Sequence, residues 1–193
     1  MRTIRTKVYF FNELSKEAQS VAIEKNRRYE DIFLDFFVED ANEKIEAEGF
    51  YGNISLQYSL SNSQGDGLSF KCDYFRVERL LGLFVEILGE GKEKRAKIIM
   101  ENCLFESEGN NGRYCFASKS DIDYYLDNSN DLPNVENIVT QVREKLQFIY
   151  MKLCRVLEKQ GYDEIEYQLS DEAISDTLIE NQCEFTKDGN PFY

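Results

Sequence analysis

Two runs of alternating residues, Ile54 to Leu60 and Leu68 to Tyr74, flank the loop Ser61-Asn62-Ser63-Gln64-Gly65-Asp66-Gly67. Period two places Ile54, Leu56, Tyr58 and Leu60 on one side of an extended chain, and Leu68, Phe70, Cys72 and Tyr74 on one side of another. Two glycines with Asn and Asp supply the positive φ values of a tight reversal. The segment therefore predicts an antiparallel hairpin and commits the chain to a sheet. The loop has a second reading. A turn does not require Gln64, so Gln64 and Asp66, together with Arg113, are candidates for holding a ligand.

Around this hairpin the chain alternates strand-like and helical signals. Thr3 to Phe11 reads as a strand. Ser15 is a good N-cap for a helix running to about Arg28, with Glu17 complementing its dipole. Ile32, Phe33, Phe36, Phe37, Ala41 and Ile45 recur at helical spacing, which predicts a buried aromatic stripe. Asp31, Asp35, Glu39, Glu43 and Glu46 lie opposite, and Gly49 is a natural C′ glycine. Val77 to Leu88 forms a third helix, followed by a charged segment from Lys92 to Lys97. Ile98 to Glu106 reads as a strand, joined through Glu108-Gly109-Asn110-Asn111-Gly112 to an Arg113–Phe116 strand. Asp121 to Leu126 reads as an edge strand. Beyond Pro133, Val135 to about Lys159 predicts a long helix that Gly161 breaks. Ser170 caps a last helix, with Asp171 and Glu172 in its first turn and Leu169 stapling to Ile174. The turn Lys187-Asp188-Gly189-Asn190 ahead of Pro191-Phe192-Tyr193 suggests a tail that folds back. Two prolines and no low-complexity stretch imply one domain over 1–193 with an acidic C-terminal segment.

Net charge is −13, unevenly placed. Residues 1–28 carry seven basic and three acidic groups, 29–48 eight acidic and one basic, and 157–193 ten acidic and two basic. Such a surface repels phosphate and anionic membranes and suits a protein partner with a basic surface. The chain has no histidine, which removes His-based triads, dyads and metal sites. Its five cysteines, Cys72, Cys103, Cys115, Cys154 and Cys183, lie far apart, as expected of small buried hydrophobes and not of a disulfide framework or zinc site. No phosphate loop, dinucleotide fingerprint or EF-hand pattern occurs. These features predict a protein that is not an enzyme, needs no cofactor or metal, and resides in the cytoplasm.

The chain resembles a family of phage and prophage accessory proteins. Lys7-Val8-Tyr9-Phe10-Phe11-Asn12-Glu13-Leu14-Ser15-Lys16-Glu17-Ala18 is close to the family's opening pattern. Ser63-Gln64-Gly65-Asp66-Gly67 matches its hairpin, and Arg113-Tyr114 its Arg-Tyr strand. Ser170-Asp171-Glu172-Ala173 and Glu184-Phe185-Thr186-Lys187-Asp188-Gly189 match its closing motifs. The chain departs from the family in lacking the Trp and His that many members carry. The resemblance implies an accessory protein in a host bacterial cytoplasm, and some members are labelled antitoxin-like.

These readings converge on an α+β fold, an antiparallel sheet of about five strands with helices packed mainly on one face. The leading function is a non-catalytic inhibitor of a bacterial defence nuclease, of anti-CRISPR or anti-restriction type, mimicking nucleic acid or blocking sterically. Its partner-binding residues are Asp31, Asp35, Glu39, Glu43, Gln64, Asp66, Arg113, Asp171 and Glu172. Two alternatives stand beside it: an antitoxin-like protein neutralising a basic toxin, and a small-ligand binder or enzyme using the Gln64–Gly67 loop.

Overall fold

A computed structural model of the chain describes residues 6–107, 115–127 and 134–192. Six α-helices lie among them: α1 (Lys16–Asn26), α2 (Asp35–Ala47), α3 (Val77–Leu88), α4 (Glu93–Glu101), α5 (Val135–Gln168) and α6 (Asp171–Glu180). The strands are short: β1 (Tyr9–Phe10), β2 (Phe50–Tyr51), β3 (Ser55–Ser59), β4 (Gly67–Lys71), β5 (Tyr74–Phe75), β6 (Cys103–Ser107), β7 (Ile122–Leu126) and β8 (Glu184–Phe185). The class is α+β. The chain groups into two compact units, Met1–Leu34 with Tyr162–Tyr193, and Asp35–Gly161.

Among the described residues no five-stranded sheet forms. The described strands pair two by two, all antiparallel: β1 with β8, β2 with β5, β3 with β4, and β6 with β7. Side chains of α5 explain why the ladders stop. Phe70 lies opposite Leu56 in the β3–β4 pair, and its N–H and C=O turn away from β3. The Tyr150 hydroxyl accepts from the Phe70 N–H at 2.9 Å and donates to the Phe70 C=O at 2.8 Å. One turn earlier on α5, Gln147 accepts from the Ile122 N–H at 3.0 Å, and two turns earlier Arg143 Nε donates to the Ile122 C=O at 2.8 Å. The backbone groups that would recruit a further strand are thus satisfied by a helix. A single antiparallel bridge, Cys72 to Ser107, joins the middle pairs.

Aromatic packing holds these short pieces together within the 35–161 unit. Tyr150 packs on Phe70 at 4.5 Å between ring centres, Phe70 on Phe50 at 5.1 Å, and Phe50 on Phe75 at 5.2 Å. Phe105 then meets Phe75, Phe84 and Tyr124 at 6.2–6.3 Å. Leu68, Ser69 and Phe70 are all buried, so β4 is covered on both sides, against the period-two expectation. The other unit has its own core of Phe11, Leu14, Ala18, Ala22, Ile23, Ile174, Leu178 and Phe185. The tail does fold back: β8 pairs with β1, and Phe185 packs edge-on against Phe11.

Local signals placed several elements well. Ser15 and Ser170 cap α1 and α6, accepting from the amides of Ala18 and Ala173. Gly49 closes α2 with φ +95°, and α3 spans the expected residues. Other expectations are corrected. Only Tyr9–Phe10 of the first run is strand among the described residues, since Phe11–Glu13 turns as a 3-10 helix; Thr3, Ile4 and Arg5 lie outside them. Helix α2 starts at Asp35, leaving Ile32 and Phe33 before it, and the buried stripe is Phe37, Ala41 and Ile45. Phe33 and Phe36 are 71% and 82% exposed. Residues 98–101 belong to α4, because Gly89 and Gly91 at positive φ end α3 and let a new helix begin. The 108–112 turn and Arg113 lie outside the described residues, and β6 pairs with β7.

Gly161 does not break α5, which runs on to Gln168. It is a glycine because space is lacking. A Cβ there would sit 2.4 Å from Leu60 Cδ1 and 3.0 Å from Phe37 Cζ. Gly82, in the interior of α3, has nothing within 4 Å of its would-be Cβ. Two glycine-to-alanine changes should therefore have opposite signs in chemical denaturation. Gly82→Ala gains about 0.5–1 kcal/mol from helix propensity. Gly161→Ala is a net loss, because overpacking of about 1–3 kcal/mol outweighs that gain. Tyr150→Phe keeps the ring but strands the Phe70 N–H and C=O, and should cost about 2–4 kcal/mol.

Candidate functional site

Helix α2 builds the most distinctive surface of the 35–161 unit. Phe37, Ala41 and Ile45 recur every four residues and are buried, which fixes the rotation of the helix. Asp35, Phe36, Glu39, Asp40, Glu43 and Glu46 are thereby left exposed. Asp35, Glu39 and Glu43 form a stripe with one carboxylate every four residues, about 6 Å of helix axis. Asp40 pairs with Lys44, and Lys44 also donates to Gln160 of α5 at 3.1 Å. Phe36 stands among the carboxylates, with Glu39, Asp40 and Glu43 three, four and seven residues ahead. This ring, 82% exposed, adds an apolar group to the acidic stripe.

The remaining candidate residues are dispersed. Asp31 is exposed, at the end of a 3-10 turn, Tyr29–Asp31. In the same unit the Phe33 backbone is pinned by Gln168, which accepts from its N–H at 3.0 Å and donates to its C=O at 2.6 Å. Asp171 and Glu172 lie exposed in the first turn of α6. Asp171 is occupied: Arg27 binds it together with Glu24 and the Leu169 carbonyl. Hydrogen bonds to Asp171 and then Glu24 raise the pKa of the Arg27 guanidinium above its ordinary value. The structure thus brings Asp35, Glu39 and Glu43 together, and sets Asp171 and Glu172 side by side elsewhere.

The hairpin loop is organised from within. Asp66 Oδ1 accepts from Ser59 Oγ at 2.8 Å, Ser61 Oγ at 3.1 Å and Ser63 Oγ at 2.8 Å, while Oδ2 accepts from the Ser63 N–H at 3.0 Å. Asn62 and Gly65 supply the positive φ values, +57° and +113°. Gly67 has no such need; a Cβ there would lie 3.1 Å from the Cys115 carbonyl and 3.2 Å from the Phe116 ring. Gln64 is exposed. The loop carboxylate therefore acts as an internal brace.

Burial governs several of the thiols. All five cysteines are free. Burial, with a smaller push from the Asp73 charge, raises the Cys72 pKa from 9.0 to about 12. Burial likewise takes Cys154 to about 12 and Cys103 to about 11. Thiols held protonated are poor nucleophiles. Among the described residues no three Cys, Asp or Glu side chains gather as a metal site would require. No helix of the described residues is long and apolar enough to cross a membrane. Comparison with protein-family models, curated proteins and solved structures gives no match to this chain.

The sequence placed Phe36 of α2 in the buried stripe and gave no role to Phe148 of α5, yet both rings are exposed, the latter at 71%. The signal was available. Phe36 is out of register with 37, 41 and 45, and Phe148 with Val139, Val142, Leu146 and Leu153. Val156 of the same helix is 44% exposed.

Two measurements check this account. Asp66→Ala removes four acceptor contacts and should lower stability by about 1–3 kcal/mol, whereas Gln64→Ala leaves the melting temperature unchanged. The thiols give a pH dependence. Their folded pKa values lie above the unfolded ones, so folding favours the protonated form. Their contribution is complete below pH 9 and is lost as pH rises from 9 towards 12. Melting temperature should fall across that window, and less steeply when Cys72 and Cys154 are both replaced by Ala.

Proposed function

We propose that the chain acts by binding, presenting the α2 stripe to a basic groove of another protein. The observation that carries this reading is the exposed row Asp35, Glu39 and Glu43 with Phe36 set among it. Carboxylates repeating along a rigid rod meet a cationic groove as a strand of phosphates would, and the ring supplies an apolar anchor near the start of the row. Net charge of −13 steers the encounter. With the resemblance to phage accessory proteins, this favours a non-catalytic inhibitor of a bacterial defence nuclease, working in the host cytoplasm. The loop carboxylate Asp66 is committed to its own hairpin, which weighs against a ligand site there.

Pull-down from a bacterial lysate expressing defence systems, read by mass spectrometry, should recover a nucleic-acid-handling enzyme; recovery of a basic toxin instead would mark an antitoxin. Affinity for the recovered partner should fall about tenfold or more as salt rises from ~0.05 to ~0.2 M. Asp35→Asn, Glu39→Gln and Glu43→Gln combined should weaken binding without changing the melting curve. Salt-independent binding, indifferent to that triple change, would remove the nucleic-acid mimic from consideration.

A further inference from the structure

The middle of α5 carries a surface opposite in charge to the α2 stripe. Residues 143–159 hold five basic and two acidic side chains, in a protein of net charge −13. Phe148, Met151, Lys152, Arg155 and Val156 line a groove of about 600 Å³ along this helix. Phe148 also walls a second groove of about 560 Å³ against α3, beside Leu83 and Ile149. Lys145, at that second groove, is paired with Glu86. Lys152 and Arg155 are exposed, as are Phe148 and Val156. Residues 148, 152 and 155 lie three and four apart and so share one face of the helix. Glu144, also exposed, lines both grooves one turn before Phe148, and the two cations follow Phe148 along the same face; an exposed aromatic residue next to cations suits a protein contact.

The complement of this face is on the same chain. The α2 stripe is a helix surface of the same build, with one exposed Phe and carboxylates where α5 has cations. From Asp35 to Glu43 it runs about 12 Å, and from Phe148 to Arg155 α5 runs about 10 Å. We propose that this α5 face is a self-association surface, taking the α2 stripe of a second copy. Glu39 and Glu43 of one chain would face Lys152 and Arg155 of the next, while Phe36 and Phe148 enter the apolar part of the contact. Screening over ~8 Å at physiological ionic strength damps repulsion between the distant acidic surfaces more than attraction between charges in contact. The contact would cover the same carboxylates that the binding function uses. The self-association itself rests only on the two surfaces and not on the identity of any outside partner.

Sedimentation equilibrium of the purified full chain tests this without any partner, with melting curves confirming that each variant is folded. The wild-type chain should show concentration-dependent association. Lys152→Glu with Arg155→Glu should abolish it, and so should Glu39→Lys with Glu43→Lys. An equimolar mixture of these two double variants should recover a heterodimer, since each supplies the face the other lacks. Phe148→Ser, which changes no charge, should weaken association at least tenfold. A wild-type chain that stays monomeric up to ~1 mM overturns the proposal. So does loss of association in the α5 variant but not the α2 variant, which would place the acidic counterpart elsewhere.

Discussion

Arg143, Gln147 and Tyr150, on one face of α5, do for two strands what a neighbouring strand would do. Each backbone group they satisfy is one that would otherwise seek a ladder partner or water. A tyrosine hydroxyl can serve both the N–H and the C=O of one residue because it is donor and acceptor at once. Gln147 and Arg143 share the same task at Ile122, as acceptor and donor. Edges closed in this way need no continuous sheet. The aromatic chain from Tyr150 to Phe84 and Tyr124 then supplies the burial that the short ladders cannot.

What the sequence revealed about the fold depended on how local each determinant was. The Ser15 and Ser170 caps, the bounds of α3 and the β3–β4 hairpin are set within a few residues, and all were legible. Gly161 was misread because its reason, the approach of Leu60 and Phe37, is invisible in the neighbouring letters. The sheet was overestimated because strand-like composition reports extended chain, not the number of partners. Residues 98–101 looked strand-like for the same reason, although the two preceding glycines free α4 to start. For the candidate site, Asp35, Glu39 and Glu43 were legible from period alone. The exposure of Phe36 became clear only once the rotation of α2 was fixed by Phe37, Ala41 and Ile45.

Charge is sorted along the helices of the 35–161 unit more than its net value suggests. Helix α2 is acidic and carries one exposed Phe, and the middle of α5 is net basic and carries another. Meanwhile the carboxylates that first looked functional in the hairpin and in α6 turn out to be in use, Asp66 by its own loop and Asp171 by Arg27. A carboxylate engaged at home is less available to a visitor. Exposure combined with the lack of an internal task is therefore a better guide to an interaction surface than acidity by itself.

The pairing of Tyr9 with Phe185 has a consequence for how the chain comes off the ribosome. The apolar side chains of Phe11, Leu14, Ala22 and Ile23 emerge before the middle unit, while Ile174, Leu178 and Phe185, which cover them, emerge after it. Until then the opening segment lacks its core and must be held in solution uncovered. The intervening residues are contiguous and can fold while the opening segment waits. A folded insert shortens the effective loop that must close before β1 meets β8, and so lowers the entropy cost of that late step. Shortening the chain from its C-terminal side should accordingly damage its first helix before it damages its middle.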